Sequence, residues 1–324
     1  MSQAEIASLV AADLLRVERF IKLDAVCSVD AVTEISRHLQ SSGGKRLRPT
    51  LLLLSAGACG AKDDSPIRLG AAVEMIHAAT LVHDDVIDDA EVRRGAPSTN
   101  RTWGNQTSVL AGDWLYMQAF RIAIRQRNFR LLDLLIELTQ TMVEGELLQT
   151  QMVARLDVSE KEHLELIERK TASLFSVCMR FGAMVGEVDR PTEDALASYG
   201  RNLGVAFQLI DDVLDFSSTE ERLGKPVGND LREGKITLPL IRALRQCTPE
   251  ERRAIETVVR EGGYETTPQS QILATLQRYG TIESTLQTAR EYVDAAADDL
   301  MQAPESRYRH ALASILQMVV DRDR

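Results

Sequence analysis

Aromatic side chains are scarce in this chain, with two tryptophans, six tyrosines and seven phenylalanines among 324 residues. Proline and glycine mark short breaks and are nowhere concentrated into a linker or low-complexity tract, which excludes a collagen-like or largely disordered chain. The four cysteines, Cys27, Cys59, Cys178 and Cys247, have no metal-ligand spacing. That argues against a zinc site or a disulfide framework and for reduced, mostly buried thiols in a cytoplasmic protein. Positive charge is also in deficit: a net charge of −10 excludes nonspecific nucleic-acid binding, which needs a basic surface to displace counterions. The longest apolar run, Leu51 to Cys59, is too short for a transmembrane segment. Met1 to Leu15 carries acids and no basic leader, so it does not resemble a secretory signal.

What is present is alanine, leucine, glutamate and arginine in long amphipathic segments, a helical composition. The periodicity predicts helices over Ser2 to Val26, Val29 to Gln40, Pro49 to Cys59, Ser65 to Asp88, Asn105 to Arg127, Arg130 to Met152, Glu160 to Gly186 and Thr192 to Ser217. Four or five more are expected between Lys235 and Asp321. No strand pattern competes. Gly43-Gly44, Gly95-Ala96-Pro97 and Gly224 to Gly228 read as loops. The length suits two domains or one large helical one, and because nothing marks a boundary, a single domain over residues 1–324 is expected.

Two aspartate clusters stand out, Asp84-Asp85-Val86-Ile87-Asp88 and Asp211-Asp212-Val213-Leu214-Asp215, each closing an apolar run. On a helix the first and last acids of each cluster share one face, offering two carboxylates to one cation. Were the two ends to meet, six carboxylates would share a cavity. Each pair ~5 Å apart would repel by roughly 3 kcal/mol at an effective dielectric near 20. A cation is therefore required, and carboxylates with water and phosphate oxygens suit magnesium. The glycine and alternating oxygen ligands of an EF-hand are absent.

Basic groups answer the acids. Gly43 to Pro49 places Lys45, Arg46 and Arg48 on a loop just before a helix expected near Pro49, a plausible diphosphate cradle. Arg93 and Arg94 follow the first cluster, and guanidinium groups bind phosphate bidentately. Lys225 and Lys235 follow the second on loops, and Lys170-Thr171 lies mid-helix among small neighbours. Gln208 shares a helical face with Asp211, and His77 lies two turns before Asp84 on that acid's face. His83 is expected to orient a neighbouring carboxylate or cap locally. The two histidines, six residues apart, do not read as zinc ligands.

These motifs, in order, resemble the all-trans polyprenyl diphosphate synthases. The residues that carry the resemblance are Gly44 to Pro49, Leu81 to Asp88, Arg93-Arg94-Gly95, Leu110-Ala111-Gly112-Asp113, Glu144-Gly145-Glu146, Lys170-Thr171-Ala172, Phe207 to Asp212 and Gly234-Lys235. The resemblance implies an all-α bundle of antiparallel helices around a central cavity, a homodimer, and acidic clusters facing each other across the cavity mouth. Carried over by position, Lys45, Arg48, His77 and Arg94 would hold isopentenyl diphosphate. Arg93, Lys170, Thr171, Gln208, Lys225 and Lys235 would hold the allylic diphosphate, farnesyl diphosphate being the favoured primer. Asp84, Asp88 and Asp211 would be the main Mg2+ ligands, supported by Asp85, Asp212 and Asp215.

The implied chemistry suits the residue types: magnesium and lysines take up charge developing on the departing diphosphate. The allylic cation is then attacked by the double bond of isopentenyl diphosphate. Ala79 and Thr80, one turn before Asp84, stand where short-chain members of the family carry aromatic rings, and Met75 and Ile76 come one turn deeper. Small residues there favour a long product, octaprenyl being the single length preferred, with transient membrane contact on its release. A farnesyl or geranylgeranyl synthase is the shorter-chain alternative. A terpene cyclase would not need the second diphosphate site at Lys45 to Arg48 and Arg93-Arg94, and a noncatalytic partner subunit would be expected to lose a cluster. A helical scaffold protein would need none of these motifs.

Overall fold

Long segments free of interior proline become helices, and Pro49, Pro66, Pro191, Pro239 and Pro249 all fall in first turns, where a missing N–H costs no helical bond. The computed structural model describes residues 1–24, 27–41, 46–93, 95–217 and 228–321. The architecture is all-α. In chain order the helices are α1 (Gln3–Asp24), α2 (Asp30–Ser41), α3 (Leu47–Ala58), α4 (Ser65–Ile87), α5 (Thr99–Trp103), α6 (Asn105–Arg125), α7 (Phe129–Met152), α8 (Glu160–Ile167), α9 (Ser173–Val185) and α10 (Arg190–Ser217). They continue as α11 (Asn229–Arg232), α12 (Leu238–Leu244), α13 (Pro249–Glu261), α14 (Gln269–Arg278), α15 (Thr281–Leu300) and α16 (Arg307–Val320).

Three expectations need correction. The segment Glu160 to Gly186 is not one regular helix, because a π turn, Glu168–Ala172, separates α8 from α9. A strand pair does exist: β1 (Val92–Arg93) lies antiparallel to β2 (Ala96–Pro97), so Ala96 and Pro97 are paired rather than loop. Helix α3 begins two residues before Pro49, after Arg46 in the left-handed region (φ 45°). The short α5 and α11 were too brief to give a periodic signal.

The chain divides into two compact units, each drawn from several stretches. The first comprises Met1–Thr139, Leu174–Gly200 and Asp298–Ile315. Here α4 packs against α1, α3 and α6. Leu51, Leu52 and Leu54 of α3, Leu69, Val73 and Ile76 of α4, and Phe175 and Phe181 of α9 are fully buried. Each such aliphatic side chain contributes about 2 kcal/mol by leaving water. Tyr199, also buried, donates its hydroxyl hydrogen to the Leu312 carbonyl at 2.8 Å.

The second unit comprises Gln140–Ser173, Arg201–Ala297 and Leu316–Arg324. Its core gathers Met152, Phe216, Leu231, Ile241, Ile255 and Ile272. Capping boxes at Ser159/Glu162 and Thr248/Glu251 satisfy the first turns of α8 and α13. Among the described residues no helix is long and apolar enough to cross a membrane. All four thiols are free. Cys59 and Cys178 are buried, and burial pushes both up to about 12, whereas Cys27 and Cys247 are half-buried.

Candidate active site

In the first unit the sequence decides where α4 stops. Asp89 takes the left-handed conformation (φ 47°), which aspartate tolerates better than most residues. The Ala90 N–H then reaches back to the Asp85 carbonyl at 2.9 Å and the Asp89 N–H to that of Val86 at 3.4 Å. This Schellman closure satisfies carbonyls that the helix end would otherwise strand. Asp88 thus lies one residue past α4, yet its N–H still bonds the Asp84 carbonyl at 2.8 Å, so the expected spacing of the two acids survives.

The acids of this cluster divide. Asp84 and Asp88 are half-exposed, while Asp85 is wholly buried. One Asp85 oxygen accepts from Arg93 Nε, and the other accepts from the Thr99 N–H and hydroxyl, each at 3.1 Å. Asp85, expected to support the metal, is therefore engaged in holding the chain beyond it. It fixes Arg93 on β1, and His38 of α2 donates to the Pro97 carbonyl on β2 at 3.0 Å. Arg94 lies outside the described residues.

The basic loop is anchored by a residue the sequence did not single out. Arg46 Nη1 meets Glu74 at 2.6 Å, with Glu18 at 3.5 Å from Nε, and both Arg46 and Glu74 are largely shielded. Glu74, an acid within an otherwise largely apolar helix, is thus the counter-ion of Arg46. Arg48 lays its guanidinium over the Phe175 ring, 5.2 Å from the centroid. Lys45 and the Gly43-Gly44 pair lie outside the described residues. His77, Arg46, Glu74, Met75 and Leu81 line one cleft.

His83 is engaged across to α6 rather than with the acids beside it in the cluster. Its Nε2 donates to the Val109 carbonyl on α6 at 3.0 Å, with Asp113 at 3.5 Å. Gly112 makes room for the ring: a Cβ there would lie 2.2 Å from Nε2. The Leu110 to Asp113 motif is in this respect a seat for His83. Of the residues proposed to set chain length, Ala79, Ile76 and Met75 are buried, and half-buried Thr80 donates to the His77 carbonyl at 2.8 Å.

In the second unit the acids divide again. Asp211 is half-buried, whereas Asp212 and Asp215 are buried. His163 Nε2 donates to one Asp212 oxygen at 2.9 Å and the Gln208 amide to the other at 3.0 Å. Gln208, expected to work beside Asp211, therefore bonds the next acid, one turn on. Asp215 accepts from the Asp230 N–H at 3.1 Å, tying α10 to α11. Both oxygens of Asp212, like those of Asp85, are hydrogen-bonded within the fold, while Asp215 ties α10 to α11 through one of its oxygens. His163 gave no signal in the sequence, because its partner is 49 residues away.

Lys170 and Thr171 sit on the π turn, a feature that recurs at functional sites. Gly145 permits α7 to approach it: a Cβ there would come within 3.0 Å of the Arg169 side chain and the Lys170 nitrogen. The flanking acids use that approach, Glu144 meeting Arg169 and Glu146 meeting Lys170, each at 2.5 Å. Lys170 also donates to Gln149 at 3.2 Å. Thr171 donates to Gln208 at 3.1 Å, and Lys235 pairs with Glu233 at 2.7 Å. Lys225 lies outside the described residues. Among the described residues no group of three or more histidine, cysteine, aspartate or glutamate side chains forms a ready-made metal cage.

Comparison with known proteins accounts for this pattern of motifs. The polyprenyl synthetase family profile matches residues 29–276. The octaprenyl diphosphate synthase of Escherichia coli strain K12 is 36% identical over 324 residues, covering 100% of both chains. A short chain isoprenyl diphosphate synthase of Methanothermobacter thermautotrophicus is 37% identical over 298 residues, 91% of each chain. The crystal structure of a Caulobacter crescentus CB15 polyprenyl synthase complexed with calcium and isoprenyl diphosphate superposes with a TM-score of 0.94 at 36% identity, over 100% of this chain and 98% of that one.

Proposed function

We propose, from the premise that this chain belongs to the polyprenyl synthetase family, that it builds a long all-trans polyprenyl diphosphate by adding isopentenyl diphosphate to an allylic primer. The coarser part of that statement is secure: the protein is a prenyltransferase of the all-trans prenyl diphosphate synthase kind. The observation that carries the residue-level reading is the division seen twice over. In both clusters the leading acid stays accessible while its neighbour is buried and bonded. Burying a carboxylate is costly unless it is fully paired. The paired acids therefore act as anchors, and the more accessible Asp84, Asp88 and Asp211 are proposed to meet a cation.

An all-oxygen carboxylate set fits magnesium, which keeps several waters and shares its remaining sites with substrate phosphates. Asp84, Asp88 and Asp211 would hold it. Bound there, it would supply Lewis acidity to the departing diphosphate. Arg93, oriented by Asp85, with Lys170, Lys225 and Lys235, is proposed to grip the allylic diphosphate, Gln208 and Thr171 standing beside it. Lys45, Arg48, His77 and Arg94 are proposed to hold isopentenyl diphosphate. Arg93 and Lys170, already held by Asp85 and Glu146, would need little reorganisation when charge builds on the leaving group. We assign the whole chain to one synthase domain acting in the cytoplasm.

Product length is the finer question. Identity does not decide it, since an octaprenyl and a short-chain enzyme share 36% and 37% of their aligned residues with this chain. The small side chain of Ala79, with Thr80 next to it where short-chain members carry aromatic rings, supports a long product, octaprenyl, from a farnesyl primer. A homodimer is supported by Leu110, Met117 and Ile124 of α6, exposed at seven-residue spacing as a second copy's helix would require. Met117→Glu should give monomers in sedimentation. The decisive assay incubates the protein with farnesyl diphosphate, labelled isopentenyl diphosphate and magnesium and sizes the products. Long linear chains are expected. Cyclised hydrocarbon or no turnover would overturn the proposal.

A further inference from the structure

We propose that His163 is a positioning residue for the allylic half of the reaction, acting through a relay of three hydrogen bonds that ends at Thr171. The inference rests on the prenyltransferase reading and extends it to a residue remote in sequence from both aspartate clusters. The relay runs His163 Nε2 to Asp212 at 2.9 Å, Gln208 amide to Asp212 at 3.0 Å, and Thr171 hydroxyl to Gln208 at 3.1 Å. Its inner end is sealed, with His163 5% and Asp212 2% exposed, and its outer end is half-buried.

The polarity of every bond follows from the inner end. A carboxylate only accepts, so the Gln208 side chain turns its nitrogen to Asp212. That leaves the amide oxygen facing Thr171, whose single hydroxyl hydrogen is spent on it. What Thr171 keeps for a ligand is acceptor capacity alone. Thr171 therefore does not donate to a diphosphate. It suits a donor or cation bound beside one. His163 matters because it holds the second Asp212 oxygen; without it the carboxylate can rotate, and the Gln208 amide loses the partner that fixes its orientation.

The Arg169–Glu144 and Lys170–Glu146 pairs brace the π turn that carries Thr171. They fix where the hydroxyl sits. The relay fixes which way its hydrogen points. Outer partners of metal ligands typically change activity 10–100-fold, and a relay to a substrate-facing hydroxyl is expected at the lower end of that range, about tenfold.

Three variants test the relay. His163→Gln places an amide nitrogen near the position of Nε2, His163→Asn is too short to reach, and His163→Leu removes the donor. Steady-state kinetics with farnesyl diphosphate and isopentenyl diphosphate should show His163→Asn and His163→Leu reduced about tenfold in kcat/KM for the allylic substrate. The KM for isopentenyl diphosphate should be unchanged, and His163→Gln should lie within about threefold of the unmodified enzyme. Should His163→Leu fail to fold, the Gln and Asn pair decides alone. Equal behaviour of Gln and Asn, or a parallel rise in KM for both substrates, would overturn the relay. An unmodified protein that condenses neither substrate would overturn the prenyltransferase reading and the relay with it, whereas an active one with His163→Asn unaffected would overturn only the relay.

Discussion

The two aspartate clusters are nearly the same word in sequence and are wired differently. In the first, buried Asp85 faces a guanidinium, a backbone N–H and a hydroxyl, all from the strand pair and α5 that follow it within 14 residues. In the second, buried Asp212 faces an imidazole and a carboxamide, and the carboxamide leads on to Thr171. The first anchor is local and ionic, and it steers Arg93. The second is long-range and directional, and it steers a hydroxyl. Similar runs of acids thus do different structural work, according to what the tertiary fold brings to the middle residue.

The comparison breaks most visibly if the outer acids are not equivalent. Asp84→Ala and Asp211→Ala should each lower turnover by at least about 100-fold, more than the loss of an outer partner. Both should keep their helical circular dichroism and melting temperature, since removing one acid of a cluster relieves repulsion. Near-normal kinetics in either would end the parallel. A second contrast lies one turn earlier, where Ala79 and Thr80 precede Asp84 but Phe207 precedes Asp211. Ala79→Phe gives the first approach an aromatic ring and should shorten the product by several isoprene units on reversed-phase chromatography. An unchanged distribution would remove Ala79 from the account of length.

The anchors themselves should separate in stability. Asp85→Asn leaves Arg93 without its counter-ion and should cost about 3 kcal/mol in urea unfolding. Asp212→Asn keeps one acceptor and turns a donor to the other partner, which His163 can meet by changing tautomer, and should cost about 1 kcal/mol. Equal losses would mean that the two anchors are interchangeable. The smallest effect serves as a folding control for every variant. Maleimide should label Cys27 and Cys247 in the native protein at about pH 8, while Cys59 and Cys178, whose burial raises the thiols to about 12, should react only after unfolding.

Helices, clusters and basic motifs were legible because helical periodicity and composition are local properties. Which acid of a run would be buried was not, because that depends on Arg93 and Thr99 in one unit and His163 in the other. The π turn left no mark on the periodicity, since one extra residue per turn over five residues is lost among mixed polar and apolar neighbours. Asp89 as a left-handed helix terminator was hidden inside what reads as an acidic run. Arg46 was read as a third cation for phosphate, and only folding reveals Glu74 as its partner. Glu144-Gly145-Glu146 was visible as a motif, but its meaning, a close approach flanked by two ion pairs, needed α7 and the π turn together.

The imidazole of His83 fills the space left vacant by Gly112. For directed evolution these two positions are one site, although 29 residues separate them. A library that randomises either alone will consist mostly of clashing or hollow combinations, and its survivors will understate what the scaffold tolerates. Paired randomisation, with a small residue at 83 admitting a larger one at 112, opens routes that single substitutions cannot reach, immediately beside Asp84.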